Sequence, residues 1–271
     1  MPSVINTNVS AIRAQQALGV NNRSMTNAMQ QLSTGKRINS AADDAAGLAL
    51  SESMTSSVRG LNVAVRNVND AVNMMQTAEG AMTEQSNMLQ RMRELAVQSA
   101  SGTYSSTQRS YLDTEFQALV TQIGSIASQS TWNGTTLMNA TSTFSFQAGQ
   151  SSGQTINVIV TSMGVASLGV STASVTTATI AATAIATLDT AINSINSQRA
   201  SIGAGINQMT YAADTMTNAA ANAAASRSTV LDTDYATAST QLAKGQIIQQ
   251  AATAMLAQAN QQPQSVLALL K

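Results

Sequence analysis

Across 271 residues the chain carries 13 Lys or Arg, 13 Asp or Glu, no His and no Cys. Zero net charge provides no field to gather nucleic acid, an anionic membrane or an acidic substrate. Without Cys or His there is no disulfide, thiolate nucleophile or zinc cluster, and the commonest general base is missing, which closes most hydrolase chemistry. The apolar content of 44% with only 3% aromatics predicts packing of small side chains.

The length predicts about two domains, since single cores rarely grow past ~250 residues. Met1–Asn8 has neither a basic nor an apolar region, so no ordinary secretory signal is expected. Residues 5–32 carry a thin stripe of apolar positions, Ile5, Val9, Ile12, Leu18, Met25, Met29 and Leu32. Ser40-Ala-Ala-Asp43 reads as a capping box opening the next helix, which is a better use of the neighbours Asp43 and Asp44 than acid–base catalysis. That helix repeats apolar residues at three and four through Val58, Leu61, Val65, Val68, Val72 and Met75. The stripe then resumes in a new register at Ala78, Met82, Leu89, Met92 and Ala96, which predicts a local disturbance after Met75.

Ser101-Gly-Thr reads as a turn, and a third stripe runs through Leu112, Phe116, Leu119, Ile123 and Ile126. Trp132-Asn-Gly-Thr135 is a turn signal, and with the alternating Phe144-Ser-Phe146 and the β-branched run Thr155-Ile-Asn-Val-Ile-Val160 it reads as a small β-hairpin region. Gly164–Ala182 reads as a surface loop or irregular segment. The most apolar stretch, Ile156–Leu188, is broken by Thr, Ser and Gly and predicts no membrane span. The longest stripe runs from Ile185 through Leu188, Ile192, Ile195, Arg199, Ile202, Ile206, Met209, Ala213, Met216, Ala220 and Ala223, one Arg interrupting a coiled-coil seam. Gly203 and Gly205 within it read as close helix packing. After Asp232-Thr-Asp234, residues 235–259 carry a second thin stripe, including Leu242, Ile248 and Met255.

The expected fold is therefore mainly α. A long antiparallel helical rod carries a small β-hairpin region, and both chain ends form a terminal two-helix coiled coil. Its parts are 1–42, 43–131, 132–179, 180–231 and 232–271: the N-terminal part of an inner helical domain, the first rod helices, the hairpin and loop, the last rod helix, and the C-terminal inner part. The two thin end stripes bury too little to offset an ordering cost of ~1 to 2 kcal/mol per residue, so the ends are expected to fold against copies of themselves.

No catalytic, metal or cofactor motif emerges: there is no nucleophile elbow, Ser-x-x-Lys or phosphate loop. Asn133-Gly-Thr135 and Asn139-Ala-Thr141 fit the N-glycosylation pattern. In Leu89-Gln-Arg-Met-Arg-Glu-Leu95, Arg91 and Leu95 share a face at i, i+4, and the residues alone leave a solvated face and an interaction patch both open.

Many ordered segments resemble bacterial flagellin: Ile5-Asn-Thr-Asn8, Leu32-Ser-Thr-Gly-Lys-Arg-Ile-Asn-Ser-Ala-Ala-Asp-Asp-Ala-Ala-Gly-Leu48, Gln76-Thr-Ala-Glu-Gly80, Gln90-Arg-Met-Arg-Glu-Leu-Ala-Val97, Trp132-Asn-Gly134, Asp234-Tyr-Ala236 and Leu256-Ala-Gln-Ala-Asn-Gln-Gln-Pro263. The resemblance covers residues 1–139 and 185–271. It implies a non-enzymatic subunit without a cofactor, which polymerises into an extracellular flagellar filament. It also implies secretion through the flagellar type III export apparatus with an export chaperone, and hook-associated junction and cap proteins as partners, with neither nucleic acid nor membrane among them. The alternative it leaves is a hook–filament junction protein. The short middle implies a filament without large outer domains.

The family's Toll-like receptor patch maps by this resemblance to Arg91, Leu95 and Glu115. Self-assembly is expected to rest on Ile5, Val9, Ile12, Leu242, Ile248, Met255, Val266, Leu267 and Leu270. The chain departs from the family in Ser228-Thr-Val-Leu231, where an Arg-Ile pair is common, and in Gln208-Met209, where Arg-Leu is common.

Overall fold

The structure is a computed structural model describing the backbone of residues 7–268 and the side chains of residues 7–261. Along it run α1 (Val9–Thr34), α2 (Ala45–Ala100), α3 (Ser106–Gln129), β1 (Thr131–Trp132), β2 (Thr135–Thr136), β3 (Ser142–Gln147), β4 (Thr155–Val160), α4 (Ala178–Leu231) and α5 (Tyr235–Ala268). The mainly helical fold read from the sequence is present. The chain divides into a central unit, Ser57–Ala221, and a terminal unit combining residues up to Ser56 with those from Asn222 onward.

In the central unit, one core joins α2, α3, α4 and the second hairpin. On α4 the buried line is Ala181, Ala184, Leu188, Ala191, Ile195, Gln198, Ile202, Gly205 and Met209, spaced alternately by three and four, and it continues at Ala213, Met216 and Ala220. Two successive steps of four about Met209 interrupt the heptad, which locally unwinds a supercoil. On α2 the buried line is Ala64, Val68, Ala71, Met75, Ala78, Met82, Gln85, Leu89, Met92, Ala96 and Ser99, an unbroken three-four repeat. The register change expected after Met75 is therefore absent. Small and polar members of the seam, Ala64, Ala71, Gln85 and Ser99, made it look broken to a reading based on large apolar residues. Arg199 is likewise not in the seam: Gln198 is, and Arg199 flanks it, 3.5 Å from Glu79.

Between α2 and α3 the chain turns as expected. Ser105 accepts from the Gln108 amide (3.3 Å) while the Gln108 side chain accepts from the Ser105 amide (2.9 Å), a reciprocal capping box. Arg109 donates to the carbonyls of Ser99 and Ser101, both at 2.8 Å, satisfying acceptors that the end of α2 leaves open and placing a cation at its negative pole. Phe116, Val120, Ile123 and Ala127 bury the inner face of α3.

β1 and β2 form a two-pair hairpin about Asn133 and Gly134, whose φ values of 47° and 81° supply the left-handed backbone that such a short turn requires. β3 and β4 pair antiparallel from Ser142↔Val160 to Gln147↔Thr155. Ile156, Val158 and Val160 point inward. Gly205 is where β4 meets α4: a Cβ there would lie 3.0 Å from a Val158 methyl. The close approach that this glycine permits is thus to a strand and not to a helix. Gly203 has open space instead.

The stretch expected to be a surface loop or irregular segment is irregular up to α4, and Leu168, Val170 and Val175 in it are buried. Side chains from three helices hold this stretch and its approach from β4. Gln198 donates to Ile159 O (2.8 Å) and accepts from the Thr161 hydroxyl (2.8 Å). Gln85 donates to the carbonyls of Ile123 and Met163, Ser99 to that of Val175, and Gln117 to that of Ala173. Asp113 accepts from Ser174 and from the Val175 amide. Apart from the one to Ile123, whose carbonyl lies within α3, these pairings offset the desolvation of polar groups in and beside the irregular stretch.

In the terminal unit α1 and α5 run antiparallel. Asn8 donates to Ala259 O (2.7 Å), Asn21 to Gly245 O (2.8 Å), and Gly245 lies against Met25. The more buried positions repeat at three and four on both helices: Ala11, Ala14, Leu18, Asn21, Met25, Ala28 and Leu32 on α1, and Ala238, Leu242, Gly245, Gln249, Ala252, Leu256 and Ala259 on α5. Only Ala28 on α1 and Ala238 and Gly245 on α5 are fully buried among the described residues.

Candidate functional site

Two surfaces carry the residues singled out from the sequence. The first lies on α2 and α3. Arg91 projects from α2 as the central member of a three-residue ion network. Its guanidinium is 2.9 Å from Glu115 on α3 and 2.9 Å from Glu94, three residues along its own helix. The Glu115 hydrogen bond, then that of Glu94, raises the Arg91 pKa above its ordinary value. Two carboxylates around one guanidinium leave the patch with excess negative charge, and all three side chains stay accessible.

Leu95 is not part of that surface. It is fully buried, where the sequence spacing suggested an exposed neighbour of Arg91. The physical reason is that α2 buries more than one row: Met74, Ser86 and Leu95 lie beside the main seam. The member missed by sequence is Glu94. An i, i+3 spacing to Arg91 was the available signal for Glu94. On the adjoining side, Arg93 meets Asp189 of α4 at 2.6 Å, which raises the Arg93 pKa.

The second surface is formed by the terminal helices. Of the expected assembly residues, Leu242 is half-buried in the α1–α5 seam. Val9, Ile12, Ile248 and Met255 are exposed, by 46%, 47%, 41% and 67%. Val20, Met29 and Ile247, which were not among the residues expected to drive assembly, are exposed as well. At 100° per residue, Val9, Ile12 and Val20 share one side of α1, opposite the seam. Ile5 and Leu270 lie outside the described residues, as do the side chains of Val266 and Leu267.

A clasp closes the base of this pair. Gly35 ends α1 with a φ of 70°, and a Cβ there would stand 2.9 Å from the Tyr235 hydroxyl. The Thr233 amide donates to Gly35 O (3.0 Å), the Arg37 amide to Leu231 O (2.7 Å) and the Arg37 guanidinium to Val230 O (2.7 Å). Arg37 thus places its charge where the last carbonyls of α4 are exposed. The next helix on each side of the clasp is capped by an acid: Asp44 accepts from the Gly47 amide (2.9 Å), and Asp234 from the Ala236 amide (2.9 Å). The cap of α2 is therefore Asp44, not Ser40. Asp43 instead folds back on the Asn39 and Ser40 amides (3.0 and 2.9 Å), and those backbone bonds lower its pKa. Thr237 and then the Ala236 amide lower that of Asp234.

Among the described residues no three His, Cys, Asp or Glu side chains converge to hold a metal ion. By length and composition α4 could cross a bilayer; here its apolar line packs into the central core.

Residues 5–143 match the bacterial flagellin N-terminal helical region, and residues 185–270 match the bacterial flagellin C-terminal helical region. The chain is 41% identical to a flagellar filament 33 kDa core protein of Treponema phagedenis, across 99% of this chain and all of that one. It is 40% identical to a flagellin of Halalkalibacterium halodurans, again across 99% and 100%. The crystal structure of Bacillus cereus flagellin superposes with a TM-score of 0.50 at 30% identity, covering 56% of this chain and 88% of that one. A structure described as a hook-associated flagellar protein of Vibrio parahaemolyticus shares the fold alone, at 14% identity and a TM-score of 0.54 over 69% of this chain and 99% of that one. With both helical regions matched in order and relatives aligned end to end, the chain belongs to the bacterial flagellin family.

Proposed function

We infer that this chain is a structural subunit of the extracellular bacterial flagellar filament, and that the filament grows by covering the outward sides of α1 and α5 with neighbouring copies. The observation that carries the second statement is the division of labour on those helices. Their shared seam is built from Ala, Gly, Asn and Gln with few larger residues, while Val9, Ile12, Val20, Ile247, Ile248 and Met255 remain open to solvent. Burying one such aliphatic side chain contributes about 1.5–3 kcal/mol, so several per subunit supply a strong drive to associate. A contact between unlike faces that does not close into a ring continues as an open helical polymer. The near-balance of charge lets many copies stack without mutual repulsion.

The filament reading is favoured over a hook–filament junction subunit by the identity to filament core proteins along the whole chain. Export through the type III apparatus with a chaperone, and docking to junction and cap proteins, belong to the same family reading.

The Toll-like receptor patch is proposed with its roles divided. Arg91 and Glu115 are offered to the receptor, and Leu95 holds α2 in place from beneath. Reporter cells exposed to monomer should respond, and Arg91→Ala should reduce the response without altering the circular dichroism spectrum. No response at saturating monomer overturns the recognition. For assembly, deleting residues 265–271 should abolish filaments in electron micrographs while the thermal melt of the central unit is retained. Normal filaments from the shortened chain overturn it.

A further inference from the structure

The chain has fourteen methionines and no cysteine, so its thioethers are its only readily oxidised sulfur. They are unevenly placed. Eight are buried within the central unit, and Met25, Met54 and Met88 are half-buried. Among the described residues only Met29 and Met255 are exposed, at 55% and 67%. Both sit on the terminal helices, Met29 on α1 and Met255 on α5, beside and not within the seam that joins them.

We propose that Met29 and Met255 form an oxidation-sensitive modification site through which peroxide stops filament growth. The inference rests on the reading that neighbouring copies cover the outward sides of α1 and α5. The chemistry is a two-electron oxygen transfer: a sulfur lone pair attacks one oxygen of hydrogen peroxide, the O–O bond breaks, and the departing hydroxide takes up the proton and leaves as water. Sulfur is oxidised to the sulfoxide and the peroxide is reduced. The product exchanges a flexible apolar side chain for a polar one that needs hydrogen-bond partners. A neighbouring copy covering that position would have to desolvate the S=O group, which opposes association unless a donor is provided. The buried methionines are shielded, so the central unit keeps its fold while the polymerising surface is lost.

Coverage also gives the modification a direction in time. A free subunit presents both thioethers; an assembled one has them beneath its neighbours. Oxidation therefore acts on the growing pool and spares the finished polymer.

The test uses purified full-length monomer, seeds from untreated filaments, and limited hydrogen peroxide. Untreated monomer must elongate the seeds; failure at this step overturns the assembly reading itself and is distinct from a failure seen only after oxidation. Peptide mass spectrometry should place oxygen at Met29 and Met255 well before Met82. Treated monomer should need at least about tenfold more protein to elongate, the change that 1.4 kcal/mol brings, with an unaltered thermal melt. Methionine sulfoxide reductase should restore growth. The Met29→Leu/Met255→Leu double variant should elongate equally with and without peroxide. Met29→Gln/Met255→Gln, polar and of similar length, should reproduce the defect without oxidant. In intact filaments both methionines should oxidise as slowly as Met82. Oxygen entering buried positions first, treated monomer growing normally, a Leu variant still stopped by peroxide, a growing Gln variant, or rapid oxidation in filaments each overturns the proposal.

Discussion

The central and terminal units use the same three-four spacing and reach opposite ends of the burial scale. In Ser57–Ala221 the repeats of α2 and α4 alternate Val, Met, Leu and Ile with Ala, Gly, Ser and Gln, and α3 and the β3–β4 hairpin join them in one core where Met75, Leu89, Leu188 and Ile202 are fully shielded. In α1 and α5 the repeat sets Leu18, Met25, Leu32, Leu242 and Leu256, none of them fully buried, among Ala, Asn, Gln and Gly, and further large apolar residues stand outside it. Periodicity decides which side faces a partner helix; how many elements close over that side decides how deeply it is buried. The first unit is stabilised from within, and the second is the one proposed to be completed by other copies.

The sharpest way to break this comparison is a pair of charge insertions. Ile202→Asp places an unpaired carboxylate in a fully buried position and should cost about 4 kcal/mol or more, unfolding the central unit in a circular dichroism melt. Ile248→Asp should leave the melt in place and remove filaments. If both variants behave alike, the two units are not energetically separate.

Smaller effects refine it. Gly205→Val drives side-chain atoms into Val158 and should destabilise by about 1–3 kcal/mol, whereas Gly203→Ala, with open space around it, should stabilise by up to about 1 kcal/mol. Gln198→Leu strips the partner from Ile159 O and Thr161 and should cost about 1–3 kcal/mol by denaturant titration.

The smallest expected effect is on pH. With no His, no side chain has an ordinary pKa near neutrality, so stability should be flat there. Asp43 and Asp234 have lowered folded pKa values, so their contribution is present above the ordinary Asp value of about 3.9 and is lost as pH falls through the lower folded value. Hydrogen exchange at residues 39–44 and 234–238, corrected for its intrinsic pH dependence, should gain relative to neighbouring amides only below about pH 4. A rise near pH 6 would contradict the assignment.

The helical layout was legible because Leu, Ile, Val and Met mark a stripe even where alanines complete it. The exact positions in that stripe were less so. Gln198 and Gln85 carry no apolar signal, yet both sit in the core because carbonyls of the irregular stretch and its strand need donors there. Leu95 was misplaced because two-row burial depends on how many elements surround α2, which spacing along one helix does not encode. On the terminal helices the residues expected to drive assembly, Val9, Ile12, Ile248 and Met255, stand exposed outside the seam, and the alanines and amides between α1 and α5 give only a weak apolar signal. Leu18, Met25, Leu32, Leu242 and Leu256 are both large and inward.

The amides of Asn8 and Asn21 reach carbonyls at Ala259 and Gly245, and only at Gly245 does the opposite helix lack a side chain to block such an approach. Sliding α5 by one turn would bring Gln241 or Gln249 to that level and shut Asn21 out. The two helices therefore behave like a key and its lock more than like two glued surfaces. Little force is needed to draw them apart, and on meeting again they accept one alignment.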